Sequence, residues 1–132
     1  MTIRNSTFRG IQTEQGEGGI FFAAWSGSLL LQDSYFVNCS AFKGGVLFVN
    51  ELVTVQVSNS TFEANSAQNS AGVFYMSGSS KLLVQNSTFL RNEALDGGVA
   101  LFTMATSFSF SDSLFRYNSA SQNSAVALAL NS

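Results

Sequence analysis

The sequence predicts an all-β solenoid, and three observations predict it: a phrase repeated five times at one period, period-two alternation ahead of each phrase, and small-residue pairs opening a second apolar strand after it. The phrase is clearest as Gln85-Asn86-Ser87-Thr88-Phe89. It recurs as Arg4-Asn5-Ser6-Thr7-Phe8, Gln32-Asp33-Ser34-Tyr35-Phe36, Ser58-Asn59-Ser60-Thr61-Phe62 and Ser111-Asp112-Ser113-Leu114-Phe115. Successive phenylalanines lie about 27 residues apart, wavering by one. One such unit cannot bury its own apolar edge, so several must stack to make a core.

Aligning the units on their phenylalanine shows the elements in order. Five residues before it stand Ile3, Leu31, Val57, Val84 and Phe110, and seven before it Met1, Leu29, Val55, Leu82 and Phe108. Polar residues separate them, with Leu30 and Leu83 as exceptions, so this is a strand with one buried face. The Asn or Asp of the phrase suits a chain reversal, because these side chains bond nearby backbone and tolerate left-handed geometry. Its invariant serine (Ser6, Ser34, Ser60, Ser87, Ser113) can satisfy its own backbone without any catalytic role. Phe8, Phe36, Phe62, Phe89 and Phe115 then point inward as a core ladder, each contributing about 2–3 kcal/mol when buried.

Three residues after each phenylalanine come Ile11, Cys39, Asn65, Asn92 and Asn118. An asparagine stack in register lets each amide bond to the next, and Ile11 and Cys39 limit that stack to Asn65, Asn92 and Asn118. After a linker of variable length follow Gly18-Gly19-Ile20, Gly44-Gly45-Val46, Ala71-Gly72-Val73, Gly97-Gly98-Val99 and Ser124-Ala125-Val126. Small residues here permit a tight corner. The last strand then has expected inward columns Ile20, Val46, Val73, Val99, Val126 and Phe22, Phe48, Tyr75, Leu101, Leu128. Each unit therefore carries three short strands. The units fall at about 1–26, 27–52, 53–78, 79–104 and 105–132, forming one parallel β-helix domain on the order of 24 Å tall.

Composition narrows the function. Charged residues are 11%, less than half the typical quarter, and there is no proline or histidine. The net charge of −2, with no basic block, argues against a nucleic-acid partner. No apolar run reaches the roughly 18 residues of a membrane helix, so no membrane insertion is expected of this segment. The longest runs, Ile20 to Trp25 and Ala125 to Leu130, fit buried strands. Met1 to Phe8 lacks the apolar core of a signal peptide, so either export information lies on a longer precursor or the protein is not exported. The single cysteine, Cys39, excludes an internal disulfide and a cysteine metal cluster, and no cofactor is expected.

The motifs resemble the repeats of the polymorphic outer membrane proteins of chlamydiae, found also in large surface proteins of some protists. That family is marked by Phe-x-x-Asn and by Gly-Gly-Ala followed by an aliphatic residue. Phe62 to Asn65, Phe89 to Asn92 and Phe115 to Asn118 match the first; Phe36 to Cys39 is a variant and Phe8 to Ile11 departs from it. The second is met as Gly-Gly-apolar at residues 18–20, 44–46 and 97–99, with Ile or Val in place of alanine. The resemblance implies a right-handed β-helix in an exported surface protein, typically an adhesin, extracellular or at the cell surface. The family's membrane barrel has no counterpart in this sequence.

Catalysis is weighed against the acids. Polysaccharide-cleaving β-helices need clustered carboxylates for a cation, or two facing carboxylates. The acids are Glu14, Glu17, Asp33, Glu51, Glu63, Glu93, Asp96 and Asp112; Asp33 and Asp112 occupy the turn column, no second acid column lies above Glu14 and Glu17 in later coils, and the absence of histidine excludes a serine triad. No catalytic or metal-binding residue is assigned, and a carbohydrate-processing enzyme is the alternative from another class. Sequons occur at Asn5, Asn38, Asn59 and Asn86. They are either the repeat's turn spelling or, in a secreting eukaryote, glycan acceptors along one edge. A threonine array for ice binding is broken by Tyr35 and Leu114.

Two association surfaces are expected. The residues assigned to the outer face of the last strand are apolar, making Phe21, Leu47, Phe74, Val49, Met76 and Phe102 a candidate interface for a protein partner, self or host. The rival accounts are that linkers cover this face or that the inward and outward phases are exchanged. Nearly whole coils with no polar caps also suggest end-to-end self-stacking into a filament, or an excerpt of a longer β-helix. The leading reading is a non-catalytic extracellular structural or adhesive module, and a self-stacking filament subunit is the second.

Overall fold

The computed structural model describes residues 1–24 and 26–130; Trp25, Asn131 and Ser132, at the ends of sequence stretches discussed above, lie outside the described residues. The chain winds through five coils of short strands. Coil one holds β1 (Thr2–Arg4), β2 (Thr7–Arg9) and β3 (Phe21–Ala23). Coil two holds β4 (Gly27–Gln32), β5 (Tyr35–Val37), β6 (Ser40–Lys43) and β7 (Leu47–Asn50). Coil three holds β8 (Val53–Ser58), β9 (Thr61–Glu63), β10 (Ser66–Ser70) and β11 (Phe74–Ser77). Coil four holds β12 (Lys81–Gln85), β13 (Thr88–Leu90), β14 (Glu93–Asp96) and β15 (Ala100–Thr103). Coil five holds β16 (Ser107–Ser111), β17 (Leu114–Arg116), β18 (Ser119–Asn123) and β19 (Ala127–Leu130).

The strands stack into four parallel sheets: β1-β4-β8-β12-β16, β2-β5-β9-β13-β17, β6-β10-β14-β18 and β3-β7-β11-β15-β19. In the third sheet coil one contributes only the bridges Gln12 to Ser40 and Glu17 to Lys43. The coil is thus divided into four strands where the sequence suggested three. The cause is a left-handed residue two positions after each phenylalanine: Gly10, Asn38, Ala64, Arg91 and Tyr117, with φ between 54° and 67°. It folds the chain between the second and third sheets. Because these five residue types have little in common, the column carries no turn signal.

The phenylalanine ladder is in register throughout. Successive rings lie parallel, with centroids 5.2, 4.8, 5.0 and 4.9 Å apart from Phe8 to Phe115. Phe74 from the opposite sheet meets Phe62 and Phe89 edge-on at 5.1 and 5.9 Å, a geometry that aromatic quadrupoles favour. Phe36, Phe62 and Phe89 are fully buried, while Phe8 and Phe115, in the end coils, are half-buried.

At the two bends flanking each phenylalanine the left-handed residue turns the following N–H away from the neighbouring coil's backbone carbonyls, and side chains fill the gap. After Asn5, Asp33, Asn59 and Asn86 the N–H groups of Ser6, Ser34, Ser60 and Ser87 each donate to the serine Oγ of the next coil, at 3.2 Å. Each of these hydroxyls in turn donates to the carbonyl two residues back, as Ser60 does to Ser58 at 2.8 Å. The serine therefore closes its own turn and caps the coil before it.

Asparagine does the same at the second bend. The N–H groups of Cys39, Asn65 and Asn92 donate to Oδ1 of Asn65, Asn92 and Asn118 at 3.0, 3.0 and 2.9 Å. The Nδ2 groups of Asn65 and Asn92 donate to the next Oδ1 at 3.1 and 3.0 Å. Each Nδ2 also donates to a phenylalanine carbonyl of the preceding coil: Asn65 to Phe36, Asn92 to Phe62 and Asn118 to Phe89. Asn65 and Asn92 are fully buried yet satisfied, which is what makes an amide tolerable inside an apolar prism.

The glycine corner has two distinct demands. The first position, Gly18, Gly44, Ala71 and Gly97, is left-handed, with φ of 63° to 73°. The second, Gly19, Gly45, Gly72 and Gly98, presses its α-carbon on carbonyl groups of the next coil, so a Cβ there would come closer than 3.0 Å to backbone oxygen.

These contacts set expected outcomes in urea denaturation. Asn92→Ala orphans the buried N–H and one Nδ2 hydrogen of Asn65 and costs about 1–3 kcal/mol for each; Asn118→Ala, at the half-buried end of the ladder, costs less. Ala71→Gly relieves a left-handed alanine and raises stability by about 0.5–1 kcal/mol. Gly72→Ala, one residue on, lowers it by several-fold that amount; equal effects at the two positions would contradict the corner geometry.

Candidate interaction surfaces

The fourth sheet decides which side chains face outward. At each rung two successive N–H groups donate to one carbonyl. Val46 and Leu47 share Val73 O at 3.1 and 2.9 Å, Val73 and Phe74 share Val99 O, and Val99 and Ala100 share Val126 O. This kink at the corner turns two consecutive residues into the core and slips the alternation by one, while the pairing between coils stays one-to-one. Val46 and Leu47 are accordingly both fully buried.

The candidate interface read from the sequence is corrected on this ground. Leu47, Phe74, Val49 and Met76 are 0% exposed and Phe102 1%, and Phe21 is half-buried against the same cluster. They are core residues, and replacing Leu47 or Phe74 with serine would attack folding instead of association. The column expected inside, Phe22, Phe48, Tyr75, Leu101 and Leu128, lies on the outer face.

That outer column is an axial apolar stripe. Phe22 stacks on Phe48 at 5.3 Å and Phe48 on Tyr75 at 4.8 Å, with Lys43 Nζ 5.3 Å from the Tyr75 ring. Phe22, at the amino-terminal edge, is 58% exposed; Phe48, closed in between its neighbours, is 6%. Leu101 is likewise buried, so the stripe is open to solvent mainly at Phe22, Tyr75 and Leu128. Beside it, where β3 turns toward β4, a cleft of about 450 Å³ is lined mainly by apolar groups, among them Met1, Phe21, Ala24 and Leu29.

The ionisable groups serve coil-to-coil contacts. Tyr35 donates its hydroxyl to Glu63, and Arg91 pairs with the other oxygen of that carboxylate, joining coils two, three and four. The carboxylate bond, then burial, raises the Tyr35 phenol above its ordinary value; the Tyr35 bond, followed by Arg91, holds the Glu63 carboxyl below its own. Glu17 pairs with Lys43 at 3.8 Å, Asp33 accepts from Asn59 Nδ2 at 3.1 Å, and Asp96 accepts from Asn123 Nδ2 at 2.6 Å. Among the described residues no three Asp, Glu, Cys or His side chains converge as a metal site would require. Cys39 is buried, which raises its thiol and keeps it in the unreactive protonated form.

The sequon asparagines Asn5, Asn38, Asn59 and Asn86 are all exposed. Asn86 Nδ2 donates to Asn59 Oδ1 at 2.8 Å, so these two amides belong to an outer ladder that ends on Asp33. The sequence missed both this kink and the left-handed column. The one available sign of the kink was the unbroken run Val46-Leu47-Phe48-Val49, in which period-two phase is undefined.

Stacked parallel coils, in-register side-chain ladders and short left-handed corners define a β-solenoid. The chain belongs to the right-handed β-helix family: the family described as "Right handed beta helix region" matches residues 1–132. A stretch of 72 residues is 38% identical to a "Metabotropic glutamate receptor-like protein R" of Dictyostelium discoideum. The alignment covers 54% of this chain and 4% of that much longer protein. No solved structure matches the chain.

The Tyr35–Glu63–Arg91 cluster has a pH signature. The depressed Glu63 pKa adds stability above the ordinary carboxylate range, lost as pH falls through its folded value. The raised Tyr35 pKa adds stability below the ordinary phenol value, lost as pH rises through the folded one. Urea midpoints should therefore be flat between roughly pH 5 and 9 and decline on both sides. In Tyr35→Phe the alkaline decline disappears and the acid one shrinks; unchanged limbs would show the cluster to be energetically idle.

Proposed function

We propose that this β-helix is a non-catalytic structural or adhesive module, extracellular or at a cell surface, of the kind formed by polymorphic outer membrane protein repeats. The observation that carries the reading is the axial stripe Phe22–Phe48–Tyr75–Leu101–Leu128, an apolar ladder on the outer face of a sheet whose inner face is already the core. Phe48 and Leu101 are already buried within the chain, so the part of the stripe open to a protein partner is Phe22, Tyr75 and Leu128. The dispersal of the acids into coil-to-coil bonds supports the non-catalytic part. The β-helix family contains both enzymes and non-enzymes, so its fold does not choose between them.

The test compares the wild-type chain with Phe22→Ser/Tyr75→Ser in binding to intact cells and in lateral self-association. Both positions face outward, so the double variant should keep its β-sheet circular dichroism while binding falls about tenfold or more. Undiminished binding by the folded variant would remove the stripe from the proposal. Release of reducing ends or unsaturated products from a panel of acidic and neutral polysaccharides would overturn the non-catalytic reading.

A further inference from the structure

We infer that coil five and coil one are mismatched for one another, so that separate copies of residues 1–132 do not stack end to end. Two independent columns carry the inference. The first is the second position of the glycine corner. In coils one to four it is Gly19, Gly45, Gly72 and Gly98, and a Cβ at each would come closer than 3.0 Å to the carbonyl of its counterpart in the next coil. In coil five the position is Ala125. A second copy continuing the stack would set the carbonyl of its Gly19 where Ala125 carries a methyl group. The four internal junctions avoid this overlap by having no side chain, and the fifth has one.

The second column is the amide ladder. Every asparagine Oδ1 in it accepts from the N–H of the preceding coil, and the Nδ2 of Asn65 and of Asn92 donates onward to the next Oδ1. Asn118 thus presents an N–H and an Nδ2 hydrogen toward any coil laid on it. A second copy would answer with Ile11, which has no acceptor. The carbonyl of Phe115 would equally lack the Nδ2 donor that Phe36, Phe62 and Phe89 receive from the coil above. Stacking would bury these groups unpaired while forcing the corner apart. At the junction of coils one and two Cys39 stands in the asparagine position, with its Sγ–H directed to Val37 O at 3.5 Å or Phe8 O at 3.9 Å.

Exposed apolar side chains of coils one and five, Met1 and Phe108 among them, would otherwise favour such stacking, so these two columns oppose an apolar attraction. The mismatch lies along the coil axis and is independent of the lateral stripe.

Sedimentation velocity of the wild-type chain over a concentration series, with electron micrographs of the same samples, should show no rods lengthening along the coil axis. The double variant Ala125→Gly/Ile11→Asn removes the methyl group and supplies both the missing acceptor and the missing donor. It should form rods whose length grows with concentration, with Ala125→Gly alone intermediate. Wild-type rods elongated along the coil axis would overturn the inference. So would a double variant with native circular dichroism and no more axial association than wild type. Side-by-side association reports on the stripe and leaves the axial measurement intact.

Discussion

The structure depends on one requirement: each coil must pair its backbone with the coil on either side, across about 4.8 Å, all the way round a closed turn. Strands meet it automatically; corners do not. At the two bends that flank the phenylalanine the N–H after the left-handed residue loses its backbone acceptor, and a side chain at the same position of the following coil supplies an oxygen; at the glycine corner the N–H keeps a backbone carbonyl. Serine does this after Asn5, Asp33, Asn59 and Asn86, and asparagine after Asn38, Ala64 and Arg91. The repeated residues are thus chosen for the coil before them as much as for their own.

Stacking in register also explains why the chain is so poor in charge. Equivalent residues lie one strand spacing apart, where two like charges repel by about 1 kcal/mol even in water. The turn column runs Asp33, Asn59, Asn86, Asp112, with its acids separated by amides. Along the second sheet Arg9, Val37, Glu63, Leu90 and Arg116 follow one another, so neighbouring charges there are interrupted by apolar residues. Glu93 lies between Ser66 and Ser119, and Lys81 between Thr54 and Ser107. Asparagine, serine and glycine are what remains when charge is expelled from a ladder.

The period, the phenylalanine column, the asparagine stack and the first strand's inward face were legible in the sequence because each is a one-to-one correspondence between units. Two features were not, for different reasons. The left-handed bend after each phenylalanine is imposed by closure of the coil on Gly10, Asn38, Ala64, Arg91 and Tyr117 alike, so tertiary geometry overrides local preference. The kink at Val46-Leu47 arises where two N–H groups share the neighbouring carbonyl, Val73 O, and the run it falls in, Val46 to Val49, is apolar throughout. Pattern alone therefore put Phe48 inside and Leu47 outside. The candidate surface moved with them.

The third sheet differs from the other three in its pairing. Its register shifts between Ser66 and Ser70, between Ala67 and Ser70, and between Ala94 and Asp96. The interval from each glycine corner to the next phenylalanine is constant, from Gly18 to Phe36 as from Gly97 to Phe115, so the variation in unit length falls between the phenylalanine and the corner that follows it. This side of the prism acts as an expansion joint. Foreign peptide spliced between Gln68 and Asn69 would ride on the outside of the winding, and the remaining three walls would keep their alignment.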